Sequence, residues 1–299
     1  MSKRYYTLNE ELRREFGGKV MKLSLDGGFT CPNRDGTIGS KGCIFCGEKG
    51  SGEFAGSRLV SIEEQIEEQK KLLSKKWDSN KYIAYFQNFT NTYGPIDRIR
   101  TLYYEAINTQ GVVGLAVATR PDCLEEETLK LLSEINKKTY LWIELGLQTI
   151  HEKSAKLIRR GYPLSIYEEA IEKLKRENIK VVTHIILGIP GESKDDMLNT
   201  VKFVAGTKTW GIKLHSLYIQ MDTDLYDYYM KNPFPIMSRE EYVSLVVDAI
   251  EMLPRDMVIH RITGDGKREL LHEPKWSLDK LKVLSMIDKE LKIRNFLET

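Results

Sequence analysis

Three of the four cysteines lie in one glycine-rich stretch, Cys31-Pro-Asn-Arg-Asp-Gly-Thr-Ile-Gly-Ser-Lys-Gly-Cys43-Ile-Phe-Cys46. Eleven residues separate the first pair and two separate the second. Three thiolates this close can hold a metal centre and leave one coordination position free, which suits a catalytic rather than a structural site. Three chemistries fit. Zinc would need a fourth ligand, for which Cys123, after a different strand, is the available thiol. A redox pair would use Cys43 and Cys46 alone, but the thioredoxin-like context is missing. A [4Fe-4S] cluster would take all three thiolates and keep one iron open.

The elements around this loop decide where it sits. Residues 19–25 read as a strand that runs straight into the cysteine loop, 26–57. Ser61-Ile-Glu-Glu64 has the capping-box pattern and opens a helix. Strand-like runs follow at 82–87, 112–119, 141–147, 181–187 and 212–220. Helix-like segments lie between them at 95–109, 124–137, 165–178 and 194–206. Strands alternating with amphipathic helices indicate βαβ units and a parallel sheet. The fold class is therefore α/β, with six strands in a partial parallel (β/α)6 barrel over 19–220. Residues 1–18 form an N-terminal segment. Residues 221–299 form a C-terminal α/β extension, with a helix at 238–252, a strand at 257–262, a polar loop at 263–275 and a helix at 277–297.

In such barrels the reacting groups sit at the C-terminal ends of the strands. The cysteine loop belongs at that face. So do Gln87-Asn88-Phe89-Thr90-Asn91-Thr92, Thr119-Arg120-Pro121-Asp122, Glu144-Leu-Gly-Leu-Gln148 and His184-Ile-Ile-Leu-Gly-Ile-Pro-Gly-Glu192.

Composition bounds the rest. Lys+Arg 45 against Asp+Glu 43 gives a formal charge of +2, which argues against a bulk nucleic-acid coat. Four cysteines in 299 residues are not a secreted disulfide framework, and a reducing cytoplasm fits them. The start, Met1-Ser2-Lys3-Arg4, lacks an apolar signal region, and no run approaches a membrane span.

With these motifs the chain resembles the radical S-adenosylmethionine (radical SAM) superfamily. Within it, the chain is similar to the branch holding the Elongator-type tRNA acetyltransferase subunit and oxygen-independent coproporphyrinogen oxidase. It looks most like small stand-alone bacterial proteins with a C-x(11–12)-C-x-x-C loop. The resemblance runs from about residue 17 to 276. It implies that Cys31, Cys43 and Cys46 ligate three irons of a [4Fe-4S] cluster, and that S-adenosylmethionine (SAM) chelates the fourth. It further implies that Phe45 lies beside the adenine, that Gln148 contacts the ribose and that Arg160 pairs with the SAM carboxylate. His184 falls at a polar ribose contact, and Ile186 and Gly188 at the turn that packs on adenine. The family's Gly-Gly-Glu motif is replaced here, so Asn88, Thr90 and Asn91 are the candidates for the SAM amino group. Ala118 stands where relatives carry Glu, and Glu144 is placed to cover that acceptor.

The implied activity is one-electron cleavage of SAM to a 5′-deoxyadenosyl radical that abstracts hydrogen. The partner would be an external electron donor of flavodoxin or ferredoxin type. The resemblance points to tRNA as substrate, in conversion of a wobble-uridine carboxymethylaminomethyl group to aminomethyl. Lys/Arg clusters at 70–76, 153–160, 173–180 and 267–268, with Trp77 and Tyr162, are candidates for gripping RNA. Two other readings stay open: a small, porphyrin-like substrate, or a zinc- or cluster-stapled nucleic-acid-binding module. Acetyl transfer itself is not expected. In the extension, His260, Arg261, Asp265, Arg268 and His272 are candidate substrate contacts, as are Tyr218 and Asp222 at the mouth.

Overall fold

A computed structural model describes residues 4–48, 50, 55–264 and 266–294. The element order begins with α1 (Leu8–Phe16), β1 (Val20–Leu25), α2 (Ile62–Ser74), β2 (Lys81–Phe86), α3 (Ile96–Asn108) and β3 (Val112–Thr119). It continues with α4 (Glu126–Asn136), β4 (Tyr140–Gln148), α5 (Glu152–Leu157), α6 (Leu164–Arg176), β5 (Lys180–Leu187), α7 (Lys194–Thr207) and β6 (Gly211–Ser216). It ends with β7 (Ile219–Gln220), α8 (Asp224–Lys231), α9 (Arg239–Met252), β8 (Val258–Arg261), β9 (Leu271–Glu273) and α10 (Lys280–Ile293).

Seven strands form one parallel sheet in the order β1-β2-β3-β4-β5-β6-β8, curled as a half-barrel. The six strands read from the sequence are all present. The seventh is the strand expected at 257–262 in the extension, so the sheet runs past residue 220. The 221–237 stretch had hidden this βαβ unit, because its Tyr/Asp/Pro-rich composition resembles a boundary. The run 212–220 is broken in two: β6 stays in the main sheet, and β7 pairs antiparallel with β9 inside the expected polar loop.

Side chains alternate across the sheet with period two. Leu23, Phe86, Val117, Ile143, Leu145, Ile185 and Leu214 point outward into a core covered by helices. Val20, Ile83, Ala116, Trp142 and Val182 point inward and form an apolar floor. Leu12 of α1 is buried in that floor. The helix thus plugs the N-terminal end of the half-barrel, and it touches both edge strands, β1 and β8. Thr7 caps it with a full capping box and bridges to Ile259 of β8. Above the floor the inward positions turn polar: Lys22, Tyr85, Glu144, His184 and Lys213. No helix among the described residues is long and apolar enough to cross a membrane.

Candidate active site

The cysteine loop is pinned from two sides. Asn33 Nδ2 donates to the carbonyl of Arg159 at 2.7 Å and approaches Cys43 Sγ at 3.6 Å. The Arg120 guanidinium donates to the Arg160 carbonyl at 3.0 Å. The turn Arg159-Arg160-Gly161 is therefore the docking post of the loop. Gly161 is required there: its φ is +83°, and an added Cβ would come within 2.7 Å of Asn33 Oδ1. From the other side, the Leu225 amide of α8 donates to the Ile44 carbonyl at 2.7 Å. Ile44 is buried among Ile158, Ile186, Leu217 and Leu225, with Phe45 packed against the same cluster. Arg34 closes the loop by donating to the carbonyls of Cys46 and Gly47.

The thiols are electrostatically prepared for a metal centre. Cys43 is held down to about 7, chiefly by the hydrogen bond it shares with Cys46, and further by Arg120 and Arg159 against the opposing effect of burial. The same bond and burial push Cys46 up, so the pair releases its first proton easily. Among the described residues, no trio of His, Cys, Asp and Glu is gathered as around one metal ion. A four-iron cluster binds each thiolate through a different iron, so its ligands need not converge on one point. Arg34, Arg120 and Arg159 add the positive charge that an anionic thiolate cluster needs. The residues present fit a [4Fe-4S] cluster. Cys123 is buried behind Pro121, with its thiol 3.7 Å from Asp122 Oδ1 and pushed up by burial.

Beneath the loop lies a cavity of about 260 Å³. Phe45 and Gly50 of the loop form its roof, and Gln148, His184, Ile186 and Tyr218 line its walls. Gln148 sits at the end of β4, where the pairing with β5 shifts register, and its φ is +67°. A bulge of this kind re-aims a side chain, and a non-glycine residue in the left-handed region is tolerated mainly where function needs it. Gly146 leaves the room: a Cβ there would meet Gln148 Nε2 at 2.7 Å.

Glu144 lies below this layer, fully buried at the centre of a polar network. It accepts from Tyr85 Oη at 2.7 Å, His184 Nε2 at 2.9 Å, Trp142 Nε1 at 3.0 Å and the Lys213 ammonium. Burial alone would raise its carboxyl, but Lys213, Lys22 and His184 outweigh it and hold Glu144 well below the usual range. Burial, with Lys213 close by, holds His184 down to about 4, so the imidazole is neutral near pH 7.

The segment after β2 takes a different place. Asn88 donates to Asp26 Oδ2 at 2.8 Å, and Asn91 donates to the Ala118 and Phe86 carbonyls at 2.8 and 3.1 Å. The Thr90 amide donates to the Thr30 carbonyl, next to Cys31. None of the three lines the cavity. Yet Asn88 Oδ1, Thr90 Oγ1 and Asn91 Oδ1 are all buried without a partner. Buried oxygens without a partner are what an ammonium group would satisfy.

Other expected contacts do not face the cavity. Arg160 is buried, and its guanidinium donates to the Tyr162, Leu147 and Thr149 carbonyls and to Glu152. Its backbone carbonyl, not its charge, serves the loop. Gly188 packs against Met237. Tyr162 is buried between Arg120 and Arg160, so its ring is closed to an RNA base. His260 packs edge-on against Trp142 and Trp210 beneath the polar network, and His272 against Tyr226 and Tyr229. Asp222 sits on the cysteine loop, its Oδ2 against Gly47. Asp265 lies outside the described residues. Among the cavity residues that sequence reasoning missed are Lys22, Tyr85, Lys213 and His215. Their one signal was an alternation that places polar side chains on the inward face of apolar strands.

A curled parallel half-barrel whose three-thiol loop roofs an interior cavity defines a class: proteins that hold a metal cluster and a small cofactor over a barrel mouth. Residues 33–204 match the radical SAM superfamily, residues 209–293 match the Radical_SAM C-terminal domain, and the chain belongs to the radical SAM superfamily. It is 47% identical to the uncharacterized protein YtqA of Bacillus subtilis, over 98% of this chain and 91% of that one. It is 27% identical to the tRNA uridine(34) acetyltransferase of Methanocaldococcus infernus, over 51% of this chain and 29% of that one. Among solved structures, the Elp3 of Methanocaldococcus infernus shares the fold with a TM-score of 0.70 at 16% identity, over 93% of this chain and 63% of that one.

Proposed function

We propose that this radical SAM enzyme remodels the side chain of a wobble uridine in tRNA, converting carboxymethylaminomethyl to aminomethyl: SAM would take up the two electrons lost from the N–CH2 carbon, and water would then cleave the C–N bond and release the two-carbon unit as glyoxylate. The observation that carries the reading is that the three-thiol loop and the cavity share a wall. Cys31, Cys43 and Cys46 lie in the loop whose Phe45 and Gly50 form the roof. When bound, a [4Fe-4S] cluster and SAM supply a 5′-deoxyadenosyl radical, which abstracts hydrogen from an unactivated carbon. The chain's own residues then have to orient the target and keep water out.

Phe45 and Ile186 offer an apolar face for the adenine. Gln148, aimed by its bulge, offers an amide to the ribose. Asn88, Thr90 and Asn91 offer the orphaned oxygens that suit the SAM amino group. Glu144 anchors His184 from below and so fixes the cavity wall. The relation to a tRNA uridine(34) acetyltransferase supports tRNA as the substrate class. The electron would come from a flavodoxin or ferredoxin.

The test is anaerobic reconstitution with iron and sulfide, then dithionite, SAM and tRNA carrying the carboxymethylaminomethyl group. The expected products are 5′-deoxyadenosine and aminomethyl-bearing tRNA, both absent with Cys43→Ala. 5′-Deoxyadenosine formed without any change in the tRNA would retire the substrate assignment and leave the radical chemistry.

A further inference from the structure

Lys213 is buried in the wall of the cavity, where a lysine is costly to keep. It stands on the inward face of β6, lines the base of the cavity and has a side chain only 4% exposed. Its ammonium contacts Glu144 Oε2 and lies 3.2 Å from Tyr85 Oη. Tyr85 in turn donates to the same carboxylate oxygen at 2.7 Å. A second amine, Lys22 Nζ, stands 3.6 Å from the other oxygen, Glu144 Oε1. Burial holds the Lys213 amine well below its ordinary range, with Glu144 opposing and Lys22 adding to the depression. A dry amine beside a second cation is the setting in which lysine acts as a nucleophile toward carbonyl and imine carbon. The acceptor for its proton is already in contact. Lys22 is less suited, since its side chain is 25% exposed and the carboxylate is farther away.

We infer that Lys213 is the amine that receives the two-carbon unit of the substrate, as an imine, before water releases it. This deepens the reading above and rests on it for the identity of that unit. The Lys213 ammonium passes a proton to Glu144, which leaves a free amine. Its lone pair attacks the carbon of the oxidised N=CH group and forms a new C–N bond. The old C–N bond then breaks. The departing amine takes one proton from the Lys213 nitrogen and one from Glu144, and stays on the tRNA as aminomethyl. Lys213 is left as the imine of a two-carbon oxo acid. Water then adds to the imine carbon and the bond to Lys213 breaks. The oxygen leaves in glyoxylate, both water protons end on the Lys213 nitrogen, and no electron changes hands. Holding the two-carbon unit on Lys213 keeps it from condensing again with the new amine on the tRNA.

The experiment treats the reconstituted protein, anaerobically and at neutral pH, with glyoxylate and cyanoborohydride. The hydride reduces an imine to a stable carboxymethyl-amine, which peptide mass spectrometry locates. One carboxymethyl group per chain is expected, on Lys213. It should form at least about tenfold faster than on any exposed lysine, since each pKa unit of depression gives ten times more free amine. Lys213→Arg keeps a cation against Glu144; it should retain a cooperative urea transition and lose the adduct. Adduct that forms first on Lys22 or on exposed lysines, or never on Lys213, would overturn the inference. No step of this test uses SAM or tRNA. Adduct on Lys213 with the tRNA unchanged in the earlier assay would retire the tRNA reading and keep Lys213 as an amine that captures an oxo acid. Converted tRNA with no adduct on Lys213 would retire the amine and keep the reading.

Discussion

Glu144 is the side chain on which the polar interior turns. It takes hydrogen bonds from Tyr85, Trp142, His184 and Lys213 and has no exposed surface in its side chain. Removing one partner of a buried charged network strands the others, at roughly 3–5 kcal/mol. Glu144→Gln should lower unfolding stability by about that much, read by urea melts of the unloaded protein. His184 adds a pH signature. Its imidazole titrates near 6.5 when unfolded and about 4 in place. The unfolded chain therefore binds the proton first, so this group's stability is fully present above about pH 6.5 and is lost as pH falls toward 4. At roughly 1.4 kcal/mol per pH unit, that contribution is about 3 kcal/mol. His184→Gln should flatten the acid limb of the stability curve between those limits, and an unchanged slope would show that other groups govern it. At the thiols, Cys43→Ala should abolish the loading of four irons per chain, measured by iron analysis after anaerobic reconstitution. The cysteines were legible because their spacing is itself the signal. Lys22 and Lys213 were not. A lysine in an alternating strand reads as a solvated position, and only the curl of the sheet turns that face inward. Arg160 shows the opposite limit: the position was legible, but the sequence does not tell a working guanidinium from a working carbonyl.

At the scale of elements, the N-terminal helix is the part that sequence reading left without a role. Thr7-Leu-Asn-Glu10 does carry a capping box. Its destination depends on the sheet being open between β1 and β8, which periodicity cannot reveal. Leu12 is 3% exposed in the floor, and Glu11 ties the helix to Tyr140 at the start of β4. Leu12→Ala should cost roughly 2–5 kcal/mol, as for other buried leucines. Thr7→Ala should cost about 1 kcal/mol through the lost cap. If the helix were a loose appendage, thermal melts would show neither loss. Apart from 212–220, which breaks after Ser216, the strands themselves were legible to within a residue or two, because each couples a period-two pattern to a following helix. β8 is a full member of that series; the strand was expected at 257–262, and only the interrupted spacing before it concealed its place in the main sheet.

At the scale of the molecule, the balance of 45 basic and 43 acidic residues limits how the proposed tRNA substrate would be held. A near-neutral chain has to grip phosphate locally. Affinity for tRNA should therefore fall with salt along a shallow slope, because few counterions are released. Filter binding between 50 and 300 mM salt would check this, and a steep slope would point to an extended basic face. The fold class was legible from alternation alone. The shape of the cavity was not, since it depends on where β8, which brings Arg261 to its lining, joins the sheet.

The bridge between Thr7 and Ile259 has a further consequence for the life of the chain. Its two halves stand near opposite ends of the described residues, and Arg261 lies just beyond the later one. During synthesis, the cysteines emerge long before the strand that completes the cavity beneath them. The nascent protein therefore spends most of its time on the ribosome with oxygen-sensitive ligands displayed over an unfinished chamber. A finished chamber beneath the cysteines exists only once the two ends of the sheet have met.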